Sequence, residues 1–247
     1  YSLIIRSDMV LTGTGFIKYF EKYNKHDCFG YLNKKILVLS TYSPSRLYKY
    51  KSFFNQLDLE SFDKFFFDIS DWVYFGLTED LKNIFSIPLI NKNNLNGPKV
   101  NGYHLISENL SPEQYVWINF LRKYEDIDSS HINYFSAKRN SKSEESYAKN
   151  TIMISANSFN IKSLKYPNSA YGAKIWKSYG FYTMSEYNKI YNKYNKDKIF
   201  YIKNYFEEFI YYVQMKLRFI IKKSNQNIYK NIVNIIRRFN GNKDLFK

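Results

Sequence analysis

Arg6-Ser7-Asp8 closes the apolar run Tyr1-Ser2-Leu3-Ile4-Ile5. A run of that length is too short for a helix and too apolar for a loop, so it reads as a buried strand. Side chains alternate along a strand, which puts Arg6 and Asp8 on one side and Ser7 on the other. A cation and a carboxylate then share the carboxyl end of a strand, where open α/β sheets bind ligands. The plainer reading is a surface ion pair that ends the strand. Asp68 and Asp71 interrupt the aromatic stretch from Phe65 to Gly76. A carboxylate among apolar neighbours is costly unless it is paired or hydrogen-bonded. Each therefore marks either a bend facing solvent or a functional site. Glu113 follows Ser111-Pro112. Acids favour the first turn of a helix, and the same placement would hold a carboxylate at a helix start facing a cleft.

The elements that must position these groups can be read from pattern. After Asp8, Gly13-Thr14-Gly15 reads as a turn into a helix on which Phe16, Phe20 and Tyr23 recur at helical spacing. Lys35 to Ser40 reads as a second buried strand, and Leu47, Tyr50, Phe54 and Leu57 suit an amphipathic helix. Phe65 to Gly76 reads as one or two strands. Thr78 suits an N-cap, with Glu79 and Asp80 in the first turn. Asn91 to Gly102 is loop or hairpin sequence. Ser111-Pro112-Glu113-Gln114 predicts a capping box with Pro at N1, followed by the stripe Trp117, Phe120, Leu121 and Tyr124. Ser136 to Asn150, poor in apolar residues, reads as an exposed mobile loop. Thr151 to Ile154 reads as a strand, and Ile161 to Gly180 as irregular structure. Helices are expected from Ser185, over Lys198 to Lys223, and around Ile228 to Phe239. Their polar faces are basic, which suits an anionic membrane surface. Packing on the protein's own core is the commoner use of such helices.

The chain of 247 residues is 45% hydrophobic and 20% aromatic, enough for a real core, and its formal charge is +15. Nucleic acid, an anionic membrane and phosphorylated substrates all fit that charge. So does the abundance of Lys, Asn, Ile, Tyr and Phe that an AT-rich genome encodes. The single cysteine, Cys28, excludes an internal disulfide and suggests a reducing, cytoplasmic setting. His26 and Cys28 lack a second ligand pair and make a poor metal site. No run of about 18 apolar residues is present, so no transmembrane helix is expected. The chain opens inside a strand at Tyr1, and we expect an N-terminal part to precede it.

Three segments in this order resemble the WavE lipopolysaccharide-synthesis family. They are the strand ending Arg6-Ser7-Asp8, the stretch Ser70-Asp71-Trp72-Val73-Tyr74-Phe75-Gly76-Leu77-Thr78-Glu79-Asp80-Leu81, and Ser111-Pro112-Glu113-Gln114-Tyr115-Val116-Trp117. The resemblance spans residues 1 to about 180. It implies a bacterial glycosyltransferase of surface-polysaccharide synthesis (lipopolysaccharide or capsule). The fold class it implies is α/β: a GT-A-like nucleotide-sugar-binding sheet flanked by helices over residues 1–183, lacking its first strands, with a basic α-helical extension over 184–247. The missing first part is expected to hold the nucleoside base.

In such enzymes an acidic motif at a strand end holds a divalent metal against the donor diphosphate, and Asp8 matches that position. The usual Asp-x-Asp is Arg-Ser-Asp here. Either Asp8 binds Mn²⁺ or Mg²⁺, or Arg6 meets the phosphate directly or orients Asp8. Asp71 or Glu113 would be the general base on the acceptor hydroxyl in an inverting transfer. Trp72 would stack on a sugar face, a role that core packing rivals. The expected partners are a nucleotide-sugar donor, a saccharide or lipid-linked saccharide acceptor, and an anionic membrane surface at the cytoplasmic face of the inner membrane. Two other classes stand beside this one. A saccharide-binding scaffold of the same family would bind without transfer. A nucleic-acid-binding protein fits the charge and aromatics, but no matching signature is present and the basic residues are spread along the chain.

Overall fold

The opening apolar run forms β1 (Ser2–Ile5) at the edge of a four-stranded sheet ordered β1-β4-β3-β7. The computed structural model describes residues 1–25, 30–41, 43–45, 66–90, 99–100, 103–104, 110–127, 137–164 and 181–200, with Phe209, Tyr212, Val213, Lys216 and Ile220 singly. His26, Cys28, the helix expected around Leu47 to Leu57, residues 165–180 and most of the basic tail lie outside them. The run does form a strand, but it is not buried. Leu3 and Ile4 are 36% and 42% exposed, and among the described residues β1 pairs with β4 alone. Apolarity alone does not separate an edge strand from a central one.

The buried centre is β3 (Ile36–Leu39), which lies between β4 (Val73–Gly76) and β7 (Thr151–Ile154). All four residues of β3 and all four of β7 are buried. β4 runs antiparallel to both β1 and β3, while β7 runs parallel to β3. It follows that β1, β3 and β7 share one direction and β4 alone runs the other way. A short second sheet pairs β2 (Met9–Leu11), just before the Gly13-Thr14-Gly15 segment, with β8 (Ile161–Ser163). β5 (Lys99–Val100) and β6 (Tyr103–His104) form the hairpin expected there.

Helices pack on this frame. α1 (Ile17–Tyr23) buries Phe20 and Tyr23, with Phe16 buried at its N-cap, as the spacing predicts. α2 (Thr78–Phe85) starts one residue earlier than expected. Leu77 is the N-cap, and the Thr78 hydroxyl bonds Ser2 Oγ at 2.8 Å instead. Its Asp80 turns inward and accepts from the Asn33 and Lys34 backbone N–H groups at 2.9 Å each, fixing the approach to β3.

α3 (Pro112–Leu121) carries the full capping box between Ser111 and Gln114, with Pro112 in its first turn. Trp117, Phe120 and Leu121 are buried, whereas Tyr124 is exposed and stacks on Tyr31. Residues 137–150, expected as a loop, form α4 (Ala137–Asn150). Its inward face is Ser143, Ser146, Tyr147 and Asn150. The spacing is helical, but the buried groups are small and polar, and an apolar-periodicity criterion passes over them.

A short α5 (Ala156–Phe159) follows β7. α6 (Met184–Tyr194) has Thr183 as N-cap with Glu186, one residue earlier than a start at Ser185. It packs on the core: the Tyr23 hydroxyl bonds Asn188 Oδ1, and the Tyr187 hydroxyl bonds the Thr151 carbonyl. Lys35 ties these parts together. Its buried Nζ donates to the Ala148 carbonyl at 3.0 Å, the Lys149 carbonyl at 2.7 Å and Asn195 Oδ1 at 2.9 Å. The architecture is thus mixed α/β around a mixed sheet.

Candidate functional site

Strand direction gathers the chemistry at one edge. Arg6 and Asp8 follow the carboxyl end of β1, and Asp71 and Trp72 precede the amino end of β4. Because β1 and β4 are antiparallel, those ends are neighbours. The Arg6 N–H donates to the Trp72 carbonyl at 3.1 Å and extends the ladder one step beyond the Ile5–Val73 pair. The Met9 N–H then bonds the Arg6 carbonyl at 3.0 Å, and the Leu164 N–H bonds the Asp8 carbonyl at 2.8 Å. The turn bearing Arg6 and Asp8 is therefore pinned on both sides.

Arg6 bridges two carboxylates. Its Nε donates to Asp8 Oδ1 at 3.0 Å and its Nη2 to Asp8 Oδ2 at 3.1 Å, while Nη1 donates to Asp71 Oδ2 at 2.9 Å. The guanidinium carbon lies 5.6 Å from the Trp72 ring centroid, a cation–π mount. Hydrogen bonding to Asp8, with Asp71 close by, raises the guanidinium above its ordinary value and keeps it charged. The structure thus brings together Arg6, Asp8, Asp71 and Trp72.

Glu113, in the first turn of α3, joins them. Burial raises its carboxyl, and the Asp71 charge adds to that. Its own backbone, the Ser111 hydroxyl and Arg6 pull the other way. Asp68 completes the set. Burial pushes its carboxyl well up, and the charges of Glu113 and Asp71 reinforce this. The Tyr74 phenol is also raised by burial, with Asp71, Glu113 and Asp68 all acting on it. Asp68, Asp71 and Glu113 therefore lie within electrostatic reach of one another, and Arg6 links Asp71 to Asp8.

The backbone around Asp68 is held from several sides. Residues 66–72, expected as strand, are a bend, and Phe67 sits at φ 55°. A bulky residue in that region is strained and persists only where its surroundings fix it. Gln114 Nε2 bonds the Phe66 carbonyl at 2.8 Å, the Phe67 N–H bonds Ser143 Oγ at 2.9 Å, and the Tyr147 hydroxyl bonds the Asp68 carbonyl at 2.9 Å. Asp68 does lie in a bend, but its carboxyl is turned inward and not to solvent. The signal was its place in an aromatic run. The anchors on α4 gave no signal, because that helix was not recognised.

The residues present do not fit a divalent ion at Asp8. Both of its carboxylate oxygens accept from Arg6, which places a fixed positive charge where the ion would sit. Among the described residues, no three His, Cys, Asp or Glu side chains converge as metal ligands. What the edge offers is a mounted guanidinium, an exposed carboxylate at Asp71, and carboxyls of raised pKa at Glu113 and Asp68. Such groups can bind an anion and take a proton from a hydroxyl.

A family model described as WavE lipopolysaccharide synthesis matches residues 1–226. The match runs beyond residue 180, the limit expected from the three motifs, into the basic segment. No curated protein and no solved structure matches the chain.

Proposed function

The chain belongs to the WavE lipopolysaccharide synthesis family, and from that premise we propose that it is a glycosyltransferase. It moves a sugar from a nucleotide donor to a saccharide acceptor of lipopolysaccharide, capsule or a related surface polysaccharide. One observation carries the reading: a guanidinium and four carboxyl groups, two of them raised by burial, meet where β1 ends and β4 begins. A GT-A-like sheet binds its donor at such an edge.

The chemistry follows from these groups. The bond between the sugar carbon and the diphosphate oxygen breaks, and the electron pair stays with the diphosphate. Arg6 faces that developing charge, which a fixed cation in a partly desolvated site stabilises. The acceptor oxygen bonds to the sugar carbon, and its proton passes to a base. Glu113 suits this role for an inverting transfer, because burial raises its basicity. Asp71 is the alternative base, although one of its oxygens already holds Arg6. Trp72 gives one wall, and sugar stacking there is part of the proposal.

Glu113→Gln should lower turnover about 10²- to 10⁴-fold and leave donor affinity unchanged, as measured by kinetics and calorimetry on the full chain. If Asp71→Asn alone has that effect, the base is Asp71. If neither variant changes turnover, general-base catalysis from this edge is wrong.

A second observation favours a membrane-surface location. Phe209, Val213, Lys216 and Ile220 are helical residues spaced to share one face, and Phe209 and Ile220 are 62% and 54% exposed. Between Phe209 and Lys243 the sequence holds no Asp or Glu. We place this segment on an anionic lipid surface, beside a lipid-linked acceptor. Among the described residues, no helix is long and apolar enough to cross a membrane.

A further inference from the structure

We infer that Arg6 takes the place of the divalent cation at this site, so that donor diphosphate is bound without metal. The inference rests on the transferase reading for its ligand, but its geometry stands alone. A cation bridging two strand-end carboxylates is what an acidic metal motif builds. Here the bridging cation is covalent. Asp8 receives it through two parallel N–H···O bonds of 3.0 and 3.1 Å, and Asp71 through a third of 2.9 Å. An ion reaching Asp8 would have to displace that fork and then sit beside a guanidinium.

Arg6 can also do what the ion would do. A guanidinium has five N–H donors, and the two carboxylates use three of them. One N–H remains on Nη1 and one on Nη2. The side chain is 35% exposed, so the guanidinium is not sealed from solvent. Two donors on a planar fork match two oxygens of a phosphate. The Trp72 ring and the pinned turn keep the fork in place. Asp8 and Asp71 are then positioning residues: they aim Arg6 and do not touch the donor through an ion.

The test uses the full chain and two sets of titrations. In the first, Mn²⁺ alone is titrated by calorimetry into the wild type, Asp8→Ala and Arg6→Asp. The wild type should bind Mn²⁺ at least about tenfold more weakly than Arg6→Asp, which restores a paired-carboxylate motif. Wild-type binding as tight as that variant's, and lost in Asp8→Ala, would overturn the inference. In the second, UDP, GDP and CDP are titrated with EDTA and with Mn²⁺. Affinity should be the same in both, and Arg6→Ala should weaken it at least about tenfold. Arg6→Lys keeps the charge without the fork and should also weaken it. Donor binding that requires Mn²⁺ overturns the inference while preserving the transferase. If no nucleotide binds, the transferase reading fails, and the Mn²⁺ titration still decides whether Arg6 has replaced the ion. Thermal melts of each variant confirm that it is folded.

Discussion

Asp68 and Glu113 are held at a cost, and the sign of that cost can be read. Burial is the first cause of the rise in both carboxyls, and each lies near other negative charge. A carboxyl whose folded pKa exceeds its unfolded one binds protons more tightly when folded. Stability is then highest below the unfolded values and falls as pH climbs through the folded ones. Asp68→Asn removes one of these ionisations. It should raise the melting temperature at pH 8 and change it little at pH 4. Calorimetric scans at the two pH values measure this. A variant less stable than the wild type at pH 8 would show that Asp68 holds a bond more important than its burial. A group that weakens the fold yet sits beside the proposed base is what a functional site leads one to expect.

At the scale of elements, what could be read depended on whether an element carries its own signal. α3 announced itself. Ser111, Pro112 and Gln114 occupy the positions that cap a helix, and the structure shows each in its expected place. β3 and β7 announced themselves as short apolar runs. α4 did not, because it buries Ser143, Ser146 and Asn150 and reserves only Tyr147 and Ala148 for apolar packing. The turn at Phe67 was hidden in an aromatic run that looks like strand, and it exists because α3 and α4 grip it. The candidate site residues were therefore legible one at a time, as Arg6, Asp8, Asp71 and Glu113. Their meeting was not, since it follows from β4 running against β1. Gln114 connects the two kinds of knowledge. Its side chain closes the capping box by accepting from the Ser111 N–H at 3.0 Å, and it donates to the Phe66 carbonyl at 2.8 Å. Gln114→Ala should cost about 2–3 kcal/mol, for a lost cap bond and a buried carbonyl left unpaired. It should also lower turnover with little change in donor affinity, because the Glu113 and Asp68 backbones lose their common anchor. Chemical denaturation and kinetics on the same variant test both halves. A stability loss with normal turnover would mean that Gln114 serves the fold alone.

The charge of the whole molecule is unevenly laid out. The chain holds 37 Lys and Arg against 22 Asp and Glu. Acidic groups gather at the edge between β1, β4 and α3, while the segment from Phe209 to Phe239 holds seven Lys and Arg and no acid. General electrostatic repulsion does not explain a basic segment that also exposes Phe209 and Ile220. Exposed apolar groups at helical spacing need a cover, and a basic flank selects an anionic one. A lipid surface meets both demands, whereas nucleic acid would leave the aliphatic residues uncovered. On the proposed reading, this contact would hold the edge between β1 and β4 close to a lipid-linked acceptor. Vesicles of phosphatidylglycerol and phosphatidylcholine should therefore sediment the protein at low salt, and neutral phosphatidylcholine vesicles should not. Replacing Lys216, Arg218, Lys222 and Lys223 by Glu should weaken binding by about 1 kcal/mol or more per residue and leave transfer to a soluble acceptor unchanged. Replacing Phe209 and Ile220 by Ser should weaken it even at full positive charge. If only the charge changes matter, the contact is electrostatic and the helix does not enter the lipid. If neither set matters, the basic segment is part of the fold, and the source of the acceptor must be sought in solution.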